Sequence, residues 1–308
     1  HRLRKHLSIK KMVLLHLDHG LRAAAERRAD AEILRKLSKR LHVPLVISRA
    51  RGLGRDDGES SGLEARSRAA RFAFFGRAAR KYKLDSIAAA HHHDDRIETF
   101  FLFLLRGSGS RGLSSLRAAE TVGGLRLIRP LLSFTRAEIA QYAESNGIDH
   151  HEDITNRDPR FLRNKIRIEL APMLKDWQPG FSKAMAASID SLESEDAVLS
   201  DLTESVLRMC LVRRTGLNRK ELCRWPAGII ARVLQESDRR SGGSGLLGGH
   251  AQVNSAVKAI VGTSDASLNL SGGRILRIHK DAVVFHRGGH RGRGVHARSA
   301  CIKQTTTR

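Results

Sequence analysis

The sequence predicts an α/β fold with a doubly wound, mostly parallel sheet, followed by a smaller helical or α+β domain. Short apolar segments alternate with helical patterns over the first 90 residues, an order typical of parallel strands joined by right-handed crossovers. From about residue 135 the pattern becomes mainly helical. We expect a first domain at 1–178, a second at 179–286 and a disordered, Gly-rich basic tail at 287–308.

Three strands and two helices are predicted to alternate in the first domain. The apolar run MVLLHLDHG predicts a strand within 12–20, and VPLVIS predicts a second at 43–48. Helical patterns follow at 24–41 and at about 62–82, and SIAAA at 86–90 predicts the third strand. Ligands of parallel sheets bind beyond the carboxyl ends of the strands. The segments LDHG and AHHHDD, which end two of these strands, are therefore expected to border a site.

Later elements carry recognisable start and stop signals. TRAEIAQYAESNG has a Thr cap, a Glu three residues on and a terminal Gly, which predict a helix. A basic helix is expected at about 158–175, and the Pro and Gly of DWQPGF at 176–181 mark the domain boundary. A long amphipathic helix follows, and RILRIH and AVVFH are predicted strands near the end of the second domain.

The charge balance points to an acidic partner. A formal net charge of +23, from 55 Lys and Arg against 32 Asp and Glu, predicts binding to an extended polyanion such as nucleic acid. Without a long uncharged apolar run or a signal segment, membrane insertion and export are not expected, and we predict a cytoplasmic protein. Cys210, Cys223 and Cys301 lie far apart, which argues against a disulfide framework or a cysteine-ligated metal cluster.

The segment HHHDDRIET has two interpretations. Asp95 and Glu98 have the spacing of a capping box at a helix N-terminus. Alternatively, His91, Asp95 and Glu98 surround a site at a strand end, where carboxylates hold Mg²⁺ or an ammonium group. A zinc site is disfavoured, because three consecutive histidines cannot all face one ion from regular structure.

Two further segments are ambiguous on their own. In RFLRNKIR, Arg160, Arg163 and Arg167 fall on one face of a helix, which is either a solvated basic face or a footprint for nucleic-acid phosphates. In RGSGSRGL, Gly107 is a candidate helix C-cap before a flexible turn.

Taken together and in order, these motifs resemble those of the tRNA(Ile)-lysidine synthetases, members of the PP-loop (N-type) ATP pyrophosphatases. LDHGLR (17–22), SRAARF (67–72) and AHHHDDRIET (90–99) are followed by RGSGSRGL, RPLL (129–132), EDITN (152–156) and RNKIR (163–167). Ser67, Phe72 and Arg96 replace the Ala, Tyr and Gln of the family pattern. The resemblance covers residues 17–175, whereas 181–308 match only loosely, around LNLSGGRILRI.

This resemblance implies an enzyme that modifies the wobble cytidine of a tRNA(Ile) with a CAU anticodon. ATP adenylates the C2 oxygen of the base, and free L-lysine then attacks that carbon, so that lysidine, AMP and pyrophosphate are formed. The implied cofactors are ATP and Mg²⁺, and a homodimer is possible. Such chemistry needs a carboxylate for the lysine ammonium and cations for the phosphate charge.

The resemblance also assigns roles to individual residues. The catalytic residues would be Asp95, Glu98, Arg71 and Arg163. Nucleotide binding would involve Leu17, Asp18, His19 and His91, and Asp95 would also be a Mg²⁺ ligand. The predicted tRNA-binding residues are Arg160, Arg163 and Arg167.

The family's S-G-G-x-D-S phosphate loop occurs nowhere in this sequence. We expect the loop and its strand to have preceded His1, so that the chain alone is inactive and the strands at 12–18 and 86–90 each lack a neighbour. Two alternatives stay open. A sister PP-loop enzyme that thiolates tRNA normally needs a C-x-x-C pair, and no Cys occurs before about residue 175. A non-catalytic tRNA-binding remnant would keep the basic surface alone.

Overall fold

A computed structural model describes residues 6, 8–20, 23–50, 60–114, 116–122, 124–148, 161–212, 216–243, 250–270 and 273–287. The chain divides into two compact units, residues 1–196 and 197–308. This division falls inside the helix Phe181–Cys210, which the sequence assigned entirely to the second domain. The basic tail lies outside the described residues beyond Arg287, the last residue of a strand.

The predicted alternation of the first unit is confirmed. Its strands are β1 (Leu14–Asp18), β2 (Leu45–Arg49), β3 (Ser86–Ala88), β4 (Ala119–Val122) and β5 (Leu125–Ile128). Its helices are α1 (Ala24–Leu41), α2 (Ser60–Tyr82), α3 (His93–Leu105), α4 (Ser110–Leu113), α5 (Arg136–Ser145), α6 (Leu162–Lys165), α7 (Ala171–Trp177) and the first half of α8 (Phe181–Cys210). A π-helical turn, Ile166–Leu170, joins α6 to α7 where one continuous basic helix was predicted.

The strands of the first unit form two parallel pairings. β1 pairs with β2, and β3 pairs with β5, which places Ala88 opposite Ile128. Among the described residues, β1 and β3 therefore pair with a strand on one side only. The antiparallel hairpin of β4 and β5 was not predicted, because its four-residue strands are too short to show a period.

Local signals explain where several elements begin and end. The predicted capping box of α5 is present, since Thr135 Oγ1 accepts from Glu138 N–H and the Glu138 carboxylate accepts from Thr135 N–H. The helix α1 ends at His42, whose φ of 49° is left-handed. Buried apolar side chains hold the strands and helices of this unit together, among them Ile87, Ile97, Leu102, Leu127 and Ile166.

The second unit is an α+β domain around one antiparallel sheet. With the second half of α8 it contains β6 (Leu211–Val212), β7 (Gly216–Asn218), α9 (Arg219–Leu222), α10 (Ala227–Arg240), α11 (His250–Val261), β8 (Ala266–Leu270), β9 (Arg274–Ile278) and β10 (Ala282–Arg287). The strand order is β6-β7-β10-β9-β8, and both predicted strands, β9 and β10, are present. The apolar faces of α10 and α11 pack into the core of this unit with Ile230, Val233, Leu234, Ile260 and Leu276.

Arg219 closes one end of α11. Its side chain is buried and donates to five backbone carbonyls, those of Ala259, Ile260, Gly262, Ser264 and His279. The last carbonyls of a helix have no partner within the helix, so this guanidinium satisfies groups that would otherwise be buried and unpaired. Within the described ranges, every helix is too short or too polar to cross a lipid bilayer.

Candidate active site

The N-terminus of α3 begins shortly after β3 ends and carries the central residues of the site. His92 is the N-cap, its Nδ1 accepting from Asp95 N–H at 3.4 Å while Asp95 Oδ2 accepts from His92 N–H at 3.0 Å. The predicted capping box between Asp95 and Glu98 is therefore wrong, because the box lies one turn earlier. Sequence reasoning missed it, since His is not among the usual N-cap residues.

Glu98 is the most deeply buried acid of the site. Its side chain is 3% exposed. Arg167 donates to both of its oxygens, from Nε to Oε1 at 2.6 Å and from Nη2 to Oε2 at 2.9 Å. Arg163 Nε donates to Oε2 at 2.9 Å, and its Nη2 reaches Thr99 Oγ1 at 3.2 Å. The guanidinium groups of Arg163 and Arg167, which come from adjacent helical turns, thus hold the Glu98 carboxylate.

These contacts correct the predicted basic stripe. Arg163 and Arg167 do share one face, but that face meets α3, and both side chains pair with Glu98 rather than standing free in solvent. Arg160 lies outside the described residues. The tRNA-binding role of these arginines stays a prediction.

Two further features of Arg167 concern its charge and its backbone conformation. Burial acts to lower its pKa, but hydrogen bonds to Glu98 and the charges of Glu98 and Asp95 raise the pKa above its ordinary value. Arg167 also lies in the π-helical turn, and such turns occur frequently at functional sites. The guanidinium is therefore a permanent cation of the site.

Asp95 is less tightly held than Glu98. Its Oδ1 lies 3.5 Å from Arg163 Nη2 and from Arg167 Nη2, near the limit of a hydrogen bond. Asp95 Oδ1 has only these two long contacts, so it is the oxygen that would face a Mg²⁺ ion, and this role stays a prediction. No group of three or more His, Cys, Asp or Glu side chains suited to a metal ion occurs in the part of the chain that the structure describes.

His91 lies between these acids and a buried arginine. Arg129, directly after β5, donates from Nε to His91 Nδ1 at 3.3 Å. Burial lowers the pKa of His91 to about 4, and the charges of Arg129, Arg163 and Arg71 act in the same direction against that of Asp95. The sequence identified RPLL as a motif but gave Arg129 no role, although its position at the end of a strand was a usable signal.

The low pKa of His91 predicts a specific acid sensitivity. Above pH 6.5 the ring is neutral in the folded and unfolded states, whereas between 6.5 and about 4 only the unfolded state binds a proton. Stability should therefore fall as the pH falls through this window. We expect a smaller fall in His91→Gln than in the wild type and an unchanged fall in the control His93→Gln, measured by urea unfolding. Equal slopes in the wild type and His91→Gln would contradict this.

The end of β1 supplies a second group of predicted residues. Leu17 pairs within the sheet, and Asp18 accepts from Gly20 N–H at 2.7 Å and from Arg27 at 2.9 Å. Burial acts to raise the pKa of Asp18, but these hydrogen bonds and the charge of Arg27 lower it overall. Asp18 therefore shapes the turn after β1.

Arg71 connects the two strand ends. Its Nη2 lies 3.3 Å from His19 Nε2, and its charge also acts on His91. The structure thus brings His19 and Arg71 together, and Arg71 is close enough to His91 for its charge to act on that ring.

A groove lies beside Glu98 and Arg167. Its empty volume is about 440 Å³, including space that is open to solvent. Asp94 lies on it and accepts from Arg136 N–H at 2.8 Å, with Lys175 Nζ at 3.4 Å. Burial acts to raise the pKa of Asp94, but these two partners lower it below its ordinary value. The groove therefore offers ionised groups of both signs next to Glu98 and Arg167.

Arg96 points away from the carboxylates of Asp95 and Glu98, although it lies between these two residues in the sequence. Its Nη1 donates to Asp190 Oδ1 at 2.6 Å and its Nη2 to Glu193 Oε2 at 2.9 Å, both on the first half of α8. The side chain is only 10% exposed. Arg96, which replaces the Gln of the family pattern, thus has a partner pair of its own.

Comparisons with known proteins identify the family of this chain. Residues 1–174 match the PP-loop domain family. The chain is 33% identical to a tRNA(Ile)-lysidine synthase of Symbiobacterium thermophilum over 82% of its length and 54% of the relative. The Geobacter sulfurreducens enzyme is 36% identical over 73% of this chain and 48% of the relative. The Thermosynechococcus vestitus enzyme is 30% identical over 87% of this chain and 75% of the relative. The chain thus spans about half the length of the first two relatives.

A solved structure supports the fold of the chain. The U34-tRNA thiolase NcsA from Methanococcus maripaludis, determined with its [4Fe-4S] cluster, aligns with a TM-score of 0.50 and 16% identity, covering 62% of this chain and 66% of that one. The predicted PP-loop fold class is thereby confirmed. The chain belongs to the PP-loop family and, within it, to the tRNA(Ile)-lysidine synthase family.

Proposed function

We propose that this protein carries the catalytic residues of an ATP-dependent tRNA(Ile)-lysidine synthase. The reaction joins free lysine to C2 of the wobble cytidine after ATP has adenylated the C2 oxygen, and it releases AMP and pyrophosphate. The observation that carries the proposal is the pair of carboxylates, Asp95 and Glu98, placed against Arg163 and Arg167 at the end of β3. Relatives that bear this name support the choice of substrates.

The two carboxylates have different tasks in this proposal. Glu98 has all of its oxygens engaged by arginines and therefore holds these cations in place for the negative charge of the activated intermediate. Asp95 has one oxygen with only long contacts, so it is the group available to bind the lysine ammonium and accept its proton. ATP is the substrate that makes AMP the leaving group.

Mg²⁺ would accompany the ATP phosphates and neutralise part of their charge. This ion usually keeps several waters and binds substrate phosphates. No task of the protein side chains in this proposal depends on the ion.

A sulfur-transfer function is less compatible with the residues present. Cysteine thiolates hold iron–sulfur clusters, and residues 1–174 contain no Cys. Cys210, Cys223 and Cys301 all follow the matched PP-loop domain. The positions of the cysteines therefore favour lysine transfer over thiolation.

Asp95→Asn tests the proposal. An Asn oxygen can still accept from His92 N–H, and both arginines keep Glu98, so stability should change by no more than about 1 kcal/mol. ATP-dependent incorporation of labelled lysine into tRNA(Ile) should fall by about 10²-fold or more relative to the unchanged protein. Asp85→Asn, at an exposed position, is the control and should retain activity. Near-normal activity of Asp95→Asn would contradict the assignment.

The excess of cations predicts that tRNA binding depends strongly on salt. Phosphate contacts release counterions, so affinity should fall by about tenfold or more between 50 and 200 mM salt. Fluorescence anisotropy with labelled tRNA measures this fall in the 308-residue chain. A tRNA with another anticodon should give the same slope, because the slope reports phosphates rather than bases. A fall of less than about threefold would contradict the prediction.

A further inference from the structure

Arg129 lies beside His91 because of the sheet. β3 and β5 run parallel with Ala88 opposite Ile128, so the segments that leave the two strands start side by side. Arg129 is the first residue after β5, and His91 follows β3 by three positions. The Arg129 side chain is 1% exposed, which leaves its guanidinium almost no contact with water.

Each nitrogen of this guanidinium has a partner. Nε donates to His91 Nδ1 at 3.3 Å, Nη1 donates to the Arg117 carbonyl at 2.5 Å, and Nη2 donates to the Glu120 carboxylate. A planar fork held at three points cannot rotate away from the imidazole. The Glu120 carboxylate also balances the charge of Arg129.

The chemistry of arginine determines which nitrogen of His91 carries hydrogen. A guanidinium only donates hydrogen bonds, so His91 Nδ1 must be unprotonated to accept from it. The hydrogen of the neutral ring is then on Nε2. Burial and the nearby charges of Arg129, Arg163 and Arg71 lower the pKa of His91 to about 4 despite Asp95, so the ring is neutral at pH 7.

We propose that Arg129 is a positioning residue that fixes His91 as the neutral imidazole with its hydrogen on Nε2. In combination with the proposed function, on which this step rests, His91 is a hydrogen-bond donor to an oxygen of the nucleotide. It is not the base that receives the proton of the lysine amine, because Nδ1 is occupied and Nε2 already carries hydrogen. That proton goes to Asp95.

Nuclear magnetic resonance of the 308-residue chain with ¹⁵N-labelled histidine tests the inference without substrate or turnover. Long-range ¹H–¹⁵N correlations distinguish the two neutral tautomers and the cation, and the His91→Gln variant identifies the signals of His91. The wild type should show the Nε2–H form at pH 7. In Arg129→Met we expect a mixture of tautomers and a shift of the His91 pKa from about 4 toward 6.5.

Two further variants keep the result interpretable. Arg129→Gln removes the charge, and its amide can either donate to His91 Nδ1 or accept from it, so the tautomer preference should weaken even if Arg129→Met folds poorly. Arg126→Met removes an exposed arginine from β5, the strand that Arg129 follows, and should leave His91 unchanged. An Nδ1–H or cationic His91 in the wild type at pH 7 would overturn the inference, and so would an unchanged tautomer in Arg129→Gln. Neither result depends on whether the chain forms lysidine.

Discussion

Replacement of Glu98 by glutamine is expected to lower the free energy of unfolding of the chain by about 3 kcal/mol. Removing one partner of a buried ion pair costs about 3–5 kcal/mol, because the remaining charge stays buried without compensation. The low end applies here, since Arg163 and Arg167 are 31% and 21% exposed and water can reach them. The glutamine amide would also direct N–H donors at a guanidinium that can only donate.

Urea unfolding of Glu98→Gln and of a matched control measures this effect. Glu195→Gln makes the same exchange at an exposed position of α8 and should change stability by less than about 0.5 kcal/mol. A loss below about 1 kcal/mol in Glu98→Gln would show that the two arginines find other partners. Activity should be lost in parallel, because the arginines would no longer be held in place.

Replacement of Arg219 by methionine is expected to destabilise the second unit by about 4 kcal/mol. The change removes a donor from five carbonyls, those of Ala259 and Ile260 in the last turn of α11, of Gly262 and Ser264 beyond it, and of His279 after β9. Each unsatisfied buried group costs about 1–3 kcal/mol, part of which water recovers. Arg219→Lys should lie in between, because one ammonium cannot reach all five carbonyls.

Tryptophan fluorescence isolates this effect. The chain has two Trp residues, and Trp225 packs against the core of the second unit, so a Trp177→Phe background restricts the signal to Trp225. Lys220→Met is the control, since Lys220 is 74% exposed and pairs only at the surface with Asp281. Equal urea midpoints for Arg219→Met and Lys220→Met would contradict the capping role of Arg219.

Periodicity predicted the elements but not their long-range partners. The strands β1, β2 and β3 and the helices α1 and α2 were predicted near their observed positions, because alternation of apolar segments and helical spacing are local properties. The same spacing placed Arg163 and Arg167 on one helix face. It could not show that this face meets Glu98, 65 residues earlier in the chain, because that contact depends on how α3 and α6 pack.

The residues of the candidate site were identified in part from the sequence, and their roles stay predictions. His91, Asp95 and Glu98 were identified, and the structure gathers them with Arg163 at the end of β3. The proposed division of tasks between Glu98 and Asp95 was not predictable, since it depends on which of their carboxylate oxygens already accept hydrogen bonds. The same holds for Arg129, whose role depends on the parallel pairing of β3 with β5.

The contacts of Arg96 bear on how this sequence can change over time. A buried arginine at this position requires acceptors, and Asp190 and Glu193 supply them from one face of α8. An exchange of Arg96 for the Gln of the family pattern would leave both carboxylates without the cation that they now pair with. The three positions are therefore expected to evolve together, so that relatives with Gln here carry neutral residues at the two α8 positions.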